Sequence, residues 1–124
     1  MELSVSDYSI PKQRQLSICL ILFYKAERTE LGFVYKVMQK KYGAYYARNK
    51  FHRDFELYRK SGRNGYFDRS TDNRGGWRLT IGGVHYFSGF MMPDWIPSAV
   101  EEVERESQAR DHKTTASLTS SRDV

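Results

Sequence analysis

Residues 64–80 read NGYFDRSTDNRGGWRLT, and this stretch decides the expected fold. Residues 66–69 and 77–81 have strand-like composition, and residues 70–76 between them are rich in turn-forming types. The pattern therefore predicts a β-hairpin with a long tip.

The hairpin is expected to be basic on its outer side. Because side chains alternate along a strand, Trp77 and Leu79 should face the core while Arg78 faces solvent. Arg69 and Arg74 add positive charge at the base and the tip. The hairpin is thus expected to have a basic outer side and an apolar side that packs on the core.

Three amphipathic segments come before the hairpin. Apolar residues at helical spacing predict helices over about residues 11–27, 30–42 and 45–60, with Thr29 as the N-cap of the second. The inward face of the third helix is predicted to contain Ala47, Phe51, Phe55 and Tyr58.

This order of elements resembles the winged helix-turn-helix superfamily. The resemblance rests on the sequence segments GYFDR, RGG and WRLTIGG. The spacing of Leu79, Thr80 and Gly83 is similar to the LT-x-x-G that closes the wing in many bacterial regulators. The resemblance covers about residues 11–90 and implies an α+β fold, a three-helix bundle with a β-hairpin wing. It also implies a sequence-specific transcriptional regulator whose third helix enters the major groove of double-stranded DNA while the wing contacts backbone or minor groove.

The charge distribution agrees with a polyanionic partner. Residues 11–85 hold sixteen lysines and arginines against six carboxylates, a net charge of +10, whereas residues 1–10 contribute −2 and residues 86–124 contribute −3. A basic block of this size favours nucleic acid or a membrane surface, and charge alone does not choose between them.

The third helix supplies the candidate reading face. If Phe51 faces the core, then Tyr46, Asn49, Arg53, Glu56 and Lys60 lie on the opposite side. Asparagine and arginine can bond base edges, and lysines suit phosphates. The candidate DNA-binding residues are Tyr45, Tyr46, Arg48, Asn49, Lys50, His52, Arg53, Lys60, Arg69, Arg74 and Arg78.

Three alternatives stay open, one of which is binding to RNA or to nucleic acid without sequence preference. The third helix face could be simply solvated, with Glu56 and Lys60 forming an i, i+4 pair, and the wing could be an ordinary surface turn. Alternatively, the domain could be a winged-helix protein-interaction module without DNA binding, which should expose an apolar patch instead of a continuous basic face.

Nothing in the sequence indicates an enzyme, a cofactor or a metal site. His52 and Glu56 are the nearest metal pair, and two ligands do not make a site. The glycines fit neither the phosphate-loop nor the dinucleotide spacing. The single cysteine, Cys19, lies in an apolar run, so a reactive thiolate is disfavoured.

The chain after the hairpin is expected to form an apolar fourth helix and a polar tail. Gly82 and Gly83 predict an irregular start to this helix, and the segment from Val84 to Ile96 could join the core or form a homodimer surface. Ser98 and Glu101 form a capping box before a short acidic helix with little to bury.

These features divide the chain into a winged-helix domain over residues 1–96 and a region over residues 97–124 that is dispensable for folding, with disorder over residues 113–124. The longest apolar run, at residues 18–23, is far shorter than the roughly 20 residues of a membrane span. No signal-peptide pattern is present at the beginning of the sequence. The expected location is cytoplasmic, on the nucleoid, without a membrane partner.

Overall fold

The computed structural model describes residues 2–60, 64–69 and 76–123, and it describes the side chains of the last helix up to Ala109. Within these residues the chain is α+β, with five α-helices and one two-stranded antiparallel hairpin, which is consistent with a winged-helix-like layout. The elements in chain order are α1 (Ile10–Lys25), α2 (Leu31–Tyr42), α3 (Arg48–Tyr58), β1 (Phe67–Arg69), β2 (Trp77–Leu79), α4 (Ile81–Phe87) and α5 (Trp95–Asp123).

Helix α1 forms the centre of the core and closely matches its predicted range. Pro11 occupies the first turn, where its missing N–H costs nothing, and Ala26 ends the helix in a left-handed conformation with φ of 56°. Every residue from Leu16 to Leu22 is buried, Ser17 and Cys19 included, because α2, α3, α4, α5 and β2 all pack around α1.

The connection between α1 and α2 contains a feature that the sequence did not reveal. Glu30, not Thr29, is the N-cap of α2, so the predicted cap is wrong. Thr29 is buried, and its backbone pairs with Trp77 of β2 through N–H···O bonds of 2.7 and 2.8 Å. Gly76, with φ of 72°, lies so close to the Thr29 carbonyl that any Cβ would collide with it. Thr29 therefore extends the hairpin by one short bridge on the β2 side.

Helix α3 begins three residues later than predicted. Ala47 is its exposed N-cap and does not belong to the inward face. The remaining predicted inward residues, Phe51, Phe55 and Tyr58, are buried as expected. The start is delayed because a turn bonded from Tyr46 N–H to the Gly43 carbonyl, at 3.1 Å, occupies the preceding residues.

The predicted hairpin is confirmed, with shorter strands. Its register pairs Phe67 with Leu79, Asp68 with Arg78, and Arg69 with Trp77. Phe67 and Leu79 are buried, and Trp77 is half-buried against the core. Of the predicted tip, residues 70–76, only Gly76 belongs to the described residues.

Helix α4 starts regularly, so the predicted irregular start is wrong. The Thr80 side chain caps it by accepting a hydrogen bond from the Gly83 N–H at 3.1 Å. Gly83 is needed there because a Cβ would lie 2.5 Å from the Tyr66 carbonyl oxygen. Close packing of α4 on the turn before β1 thus explains why glycine is tolerated inside the first turn.

The segment from Val84 to Ile96 mostly fills the core. Phe87, Phe90 and Ile96 are buried, while Val84 and Met91 remain exposed. A homodimer surface through this segment stays a prediction. Among the described residues, no helix combines the length and the hydropathy needed to cross a bilayer.

Helix α5 differs most from the prediction. It begins at Trp95, so Ser98 lies inside it and forms no N-terminal capping box. Ala99, Val100 and Val103 are buried in the same core as Ile96, on a helix that packs against α1 and α2. The expectation that this segment has little to bury is therefore wrong, and the boundary predicted at residue 96 falls inside the helix. The helix continues to Asp123, through most of the segment predicted as disordered.

Candidate nucleic-acid interface

The outer face of α3 has the predicted composition. Asn49, Arg53 and Lys60 are exposed and Glu56 is half-buried, on the side opposite the buried Phe51. This arrangement follows from helical geometry, since positions 49, 53, 56 and 60 recur at three- and four-residue intervals. We use "the α3 outer face" for the exposed residues Arg48, Asn49, Lys50, His52, Arg53 and Lys60.

A buried polar cluster holds α3 against α1. Asp54, on the inward side of α3, accepts a hydrogen bond from Arg14 Nε at 2.9 Å and one from the Tyr46 hydroxyl at 2.8 Å. The prediction that Tyr46 is exposed is wrong, because its ring packs in the core and its hydroxyl satisfies Asp54. Burial, together with the Asp54 carboxylate, raises the pKa of Tyr46, so the phenol stays protonated and donates.

Aromatic contacts fix α3 against the hairpin. The Phe55 ring meets Phe67 of β1 and Trp77 of β2 edge to face, at centroid distances of 5.4 and 5.2 Å. Tyr58 meets Phe67 in the same manner at 6.3 Å. Because these rings are wedged between both elements, α3 and the hairpin hold a defined relative orientation.

The cations of the α3 outer face have few neutralising partners. Lys50, Arg53 and Lys60 form no ion pair within the described part of the chain, and the Arg48 guanidinium lies over the Tyr35 ring at 4.9 Å. Cation–π contact of this kind orients the side chain without cancelling its charge. The face therefore presents several cations to solvent that have no ion pair within the described part of the chain.

The two carboxylates of α3 are engaged elsewhere. Asp54 is turned inward, and Glu56 pairs with Arg59 at 2.6 Å. That hydrogen bond with Arg59 lowers the pKa of Glu56 and is not the i, i+4 pair with Lys60 that the sequence left open. Lys60 forms no ion pair with a described residue, although its charge still acts on Glu56.

The aromatic and imidazole candidates are accessible as predicted, except for Tyr46. Tyr45 is 99% exposed in the turn before α3, and His52 is exposed on the helix itself. A tyrosine hydroxyl at such a position can donate to a phosphate oxygen.

The arginines of the hairpin divide between its two faces. Arg69 lies on the same strand face as Phe67, which packs on α3. Arg78 lies on the opposite face and donates from Nε to Asp68 at 3.0 Å, so the structure does not bring it together with the α3 outer face. Arg74 lies outside the described residues.

Asp68 is the centre of a small cluster on that opposite face. It accepts from Arg28 Nη2 at 2.8 Å as well as from Arg78. The hydrogen bond from Arg78, with the charge of Arg28, lowers the pKa of Asp68. Sequence reasoning missed Arg28 because its partner is 40 positions away along the chain.

A contrasting set of cations lies beside α5. Lys25 pairs with Glu104 at 2.7 Å, and Lys40 pairs with Glu102 at 3.0 Å and with Glu106 at 2.5 Å. These carboxylates belong to the acidic segment that the sequence places after residue 97. They neutralise part of the basic block on the side where α5 packs against α2 and the end of α1.

The candidate metal ligand His52 and the single cysteine lie in different surroundings, His52 on an exposed helix face and Cys19 in the core. Within the described residues, no three histidine, cysteine or acidic side chains cluster as metal ligands, so His52 and Glu56 remain a pair. Cys19 is buried, and burial raises the pKa of its thiol, which disfavours the thiolate.

Comparison with known proteins identifies no family for this chain. The chain matches no protein-family model, and no curated protein and no solved structure is similar enough to count as a match.

Proposed function

We propose that this chain is a sequence-specific double-stranded DNA-binding protein of the winged-helix type, acting in transcription regulation on the cytoplasmic nucleoid. In this proposal α3 enters the major groove and the hairpin lies on the adjacent backbone or minor groove. The protein uses no cofactor and catalyses no reaction.

One observation carries the proposal, which is the composition of the α3 outer face. Asn49 and Arg53 stand one turn apart on an exposed helix face and can form bidentate bonds with adenine and guanine edges. Lys50 and Lys60 flank them without carboxylate partners among the described residues, which suits phosphate contacts.

The position of Arg69 on the hairpin supports a duplex that contacts both α3 and the hairpin. Arg69 lies on the hairpin face that packs on α3, so a duplex held by α3 could reach its guanidinium. Tyr45 and Arg48, at the beginning of α3, extend the surface in the other direction along the helix. We assign Arg78 no DNA contact, because it faces away and is paired with Asp68.

The alternative function is a winged-helix protein-interaction module without DNA binding. An exposed apolar surface on α4, at Ile81 and Val84, favours this alternative. The two functions need different surfaces, so variants on each surface separate them.

Binding to random duplex DNA across a salt series tests the proposal. Arg48, Lys50, Lys60 and Arg69 supply about four phosphate contacts, for which counterion release gives a slope of log K against log[salt] near −4. We expect affinity to fall by about 10² to 10³-fold between about 50 and 200 mM salt, measured by fluorescence anisotropy. A flat salt response would contradict DNA binding.

Selection of a preferred site from a random duplex library tests sequence reading. Asn49→Ala should cost about 1 to 3 kcal/mol on the selected site and relax preference at one base position. Gln108→Ala, which removes an exposed amide from α5, is the matched control and should leave both properties unchanged. Equal losses on selected and random DNA would mean that α3 is not the reading helix.

A further inference from the structure

A groove runs along the side of the molecule where the outer face of the hairpin meets α4. Its volume is about 1050 Å³, and its apolar lining comes from the end of α1, from β2 and from α4. These apolar residues are Leu22, Phe23, Ala26, Leu79, Ile81 and Val84. Ligand pockets for small molecules span about 300 to 1,000 Å³ and bury most of their ligand, so a groove of this size with an exposed wall suits a polypeptide better.

The α4 wall of the groove is an unpartnered amphipathic helix face. Ile81, Val84, His85 and Ser88 recur at i, i+3, i+4 and i+7, and all four line the groove. Ile81 is 91% exposed and Val84 is 45% exposed. Two exposed branched apolar residues on one helix face mark a surface that can bury a partner's apolar side chains.

The charge on the opposite wall identifies the kind of partner. Asp68 is the groove's one carboxylate among its described lining, and it is already bonded to Arg28 and Arg78. Arg78 uses only Nε for this bond, so both terminal amino groups of its guanidinium are without hydrogen bonds to the described residues. The bond to Asp68 holds the fork in place, and a guanidinium fork binds a carboxylate with two parallel hydrogen bonds.

We propose that this groove binds an acidic amphipathic α-helical segment of a partner protein. The apolar side of that segment packs on Ile81 and Val84, and its carboxylates meet Arg78. Arg28, outside the groove lining, offsets the charge of Asp68. The groove lies on the face of the hairpin opposite to the one that contacts α3, so the inference does not depend on DNA binding and both surfaces can be occupied together.

Selection from a displayed library of random peptides of about twelve residues, long enough for three helical turns, tests the proposal. The immobilised full chain is the bait, and the library is depleted in parallel against the Ile81→Asp variant. Asp at the first position of α4 is compatible with the helix, so the fold should persist. Ile10→Asp is a matched control, because Ile10 is also an exposed first helical residue but lies outside the groove.

We expect enriched peptides to combine apolar residues at i, i+3 or i+4 with glutamates or aspartates. Their affinity, measured by anisotropy on labelled synthetic peptides, should fall at least about tenfold with Ile81→Asp and stay unchanged with Ile10→Asp. Replacing the acidic residues of a selected peptide with lysines should weaken binding to the native chain, and Arg78→Gln should remove most of that preference.

Three results would overturn the proposal. The first is a selection in which no peptide depends on Ile81. The second is enrichment of basic or non-amphipathic sequences. The third is a dimer, measured by sedimentation equilibrium, that Ile81→Asp dissociates and Ile10→Asp does not, because the groove would then be an interface between copies of this chain.

Discussion

The α3 outer face and the side where α5 packs against α2 and the end of α1 both contain basic residues, but in opposite electrostatic situations. Lys50 and Arg53 on α3, and Lys60 two residues after its end, form no ion pair with any described residue. Lys25 and Lys40 are each held by glutamates of α5. Both sets belong to the same basic block of the sequence.

The difference shows that net charge along the sequence does not identify a binding face. The acidic helix returns to the basic block from 60 or more positions away and cancels its charge on one side only. Lys25 and Lys40 are thereby neutralised, whereas Lys50, Arg53 and Lys60 form no ion pair with a described residue. Surface ion pairs contribute little to stability, usually under about 1 kcal/mol, so their main effect here is on where the positive potential remains.

The largest expected effect comes from removing the part of α5 that packs on the core. A chain that ends at Pro97 loses Ala99, Val100 and Val103, which are buried. At about 1.5 to 3 kcal/mol for each buried valine, the loss is about 3 to 6 kcal/mol, comparable to the whole stability of many small domains. Thermal or urea unfolding should show a large loss of stability or no folded state.

A chain that ends at Ala109 is the control for this truncation. It retains the buried residues of α5 and the glutamates that pair with Lys25 and Lys40. Its melting temperature should stay close to that of the full chain. If the chain ending at Pro97 melted like the control, the packing of α5 would not matter for folding.

The next effect concerns the inward side of α3. Asp54→Asn removes the charge that pairs with Arg14, leaving a largely buried guanidinium without its counterion. Breaking a buried pair in this way costs about 3 kcal/mol, which urea unfolding can measure. Glu56→Gln, which breaks only the half-exposed pair with Arg59, is the matched control and should cost well under about 1 kcal/mol. Equal losses for both variants would mean that Asp54 does not anchor α3.

The smallest expected effect is a change in the salt dependence of DNA binding, which separates unpaired from paired basic residues. Lys50→Gln should reduce the magnitude of the salt slope of DNA binding by about one, because one of the proposed phosphate contacts that release counterions is lost. Lys40→Gln should leave the slope unchanged, since Glu102 and Glu106 already neutralise Lys40 and raise its pKa through their hydrogen bonds. Anisotropy titrations of both variants across the same salt series provide the measurement. An equal change in both slopes would contradict the claim that pairing with α5 keeps Lys40 from contributing to DNA binding.

The sequence predicts the helical part of the fold well, because buried helices leave a regular apolar period. The ranges of α1 and α2 differ from their predicted ranges by two residues or fewer at each end, and the inward side of α3 is correct from Phe51 onward. The hairpin, and which of its residues face the core, could also be predicted, because apolar and polar side chains alternate clearly in WRL.

Features that depend on distant partners could not be predicted. By helical spacing Tyr46 would lie on the exposed face of α3, but its side chain is buried and its hydroxyl donates to Asp54. An aspartate three residues after Phe51 was a usable signal, since a charge on an inward helix face requires a partner. Nothing local marks Arg14 as that partner, 40 positions away. The packing of α5 was missed because one short apolar stripe within an acidic segment resembles a solvated helix.

Gly76, where the polar loop enters β2, bears on how relatives of this chain could be recognised. A side chain at this position would collide with the Thr29 carbonyl, and the backbone there has a positive φ, so glycine is required by the chain's own architecture. That requirement applies equally to a relative that binds DNA and to one that binds a protein. A retained glycine at this place would therefore indicate common architecture only, whereas divergence at Asn49 and Arg53 would indicate a different ligand.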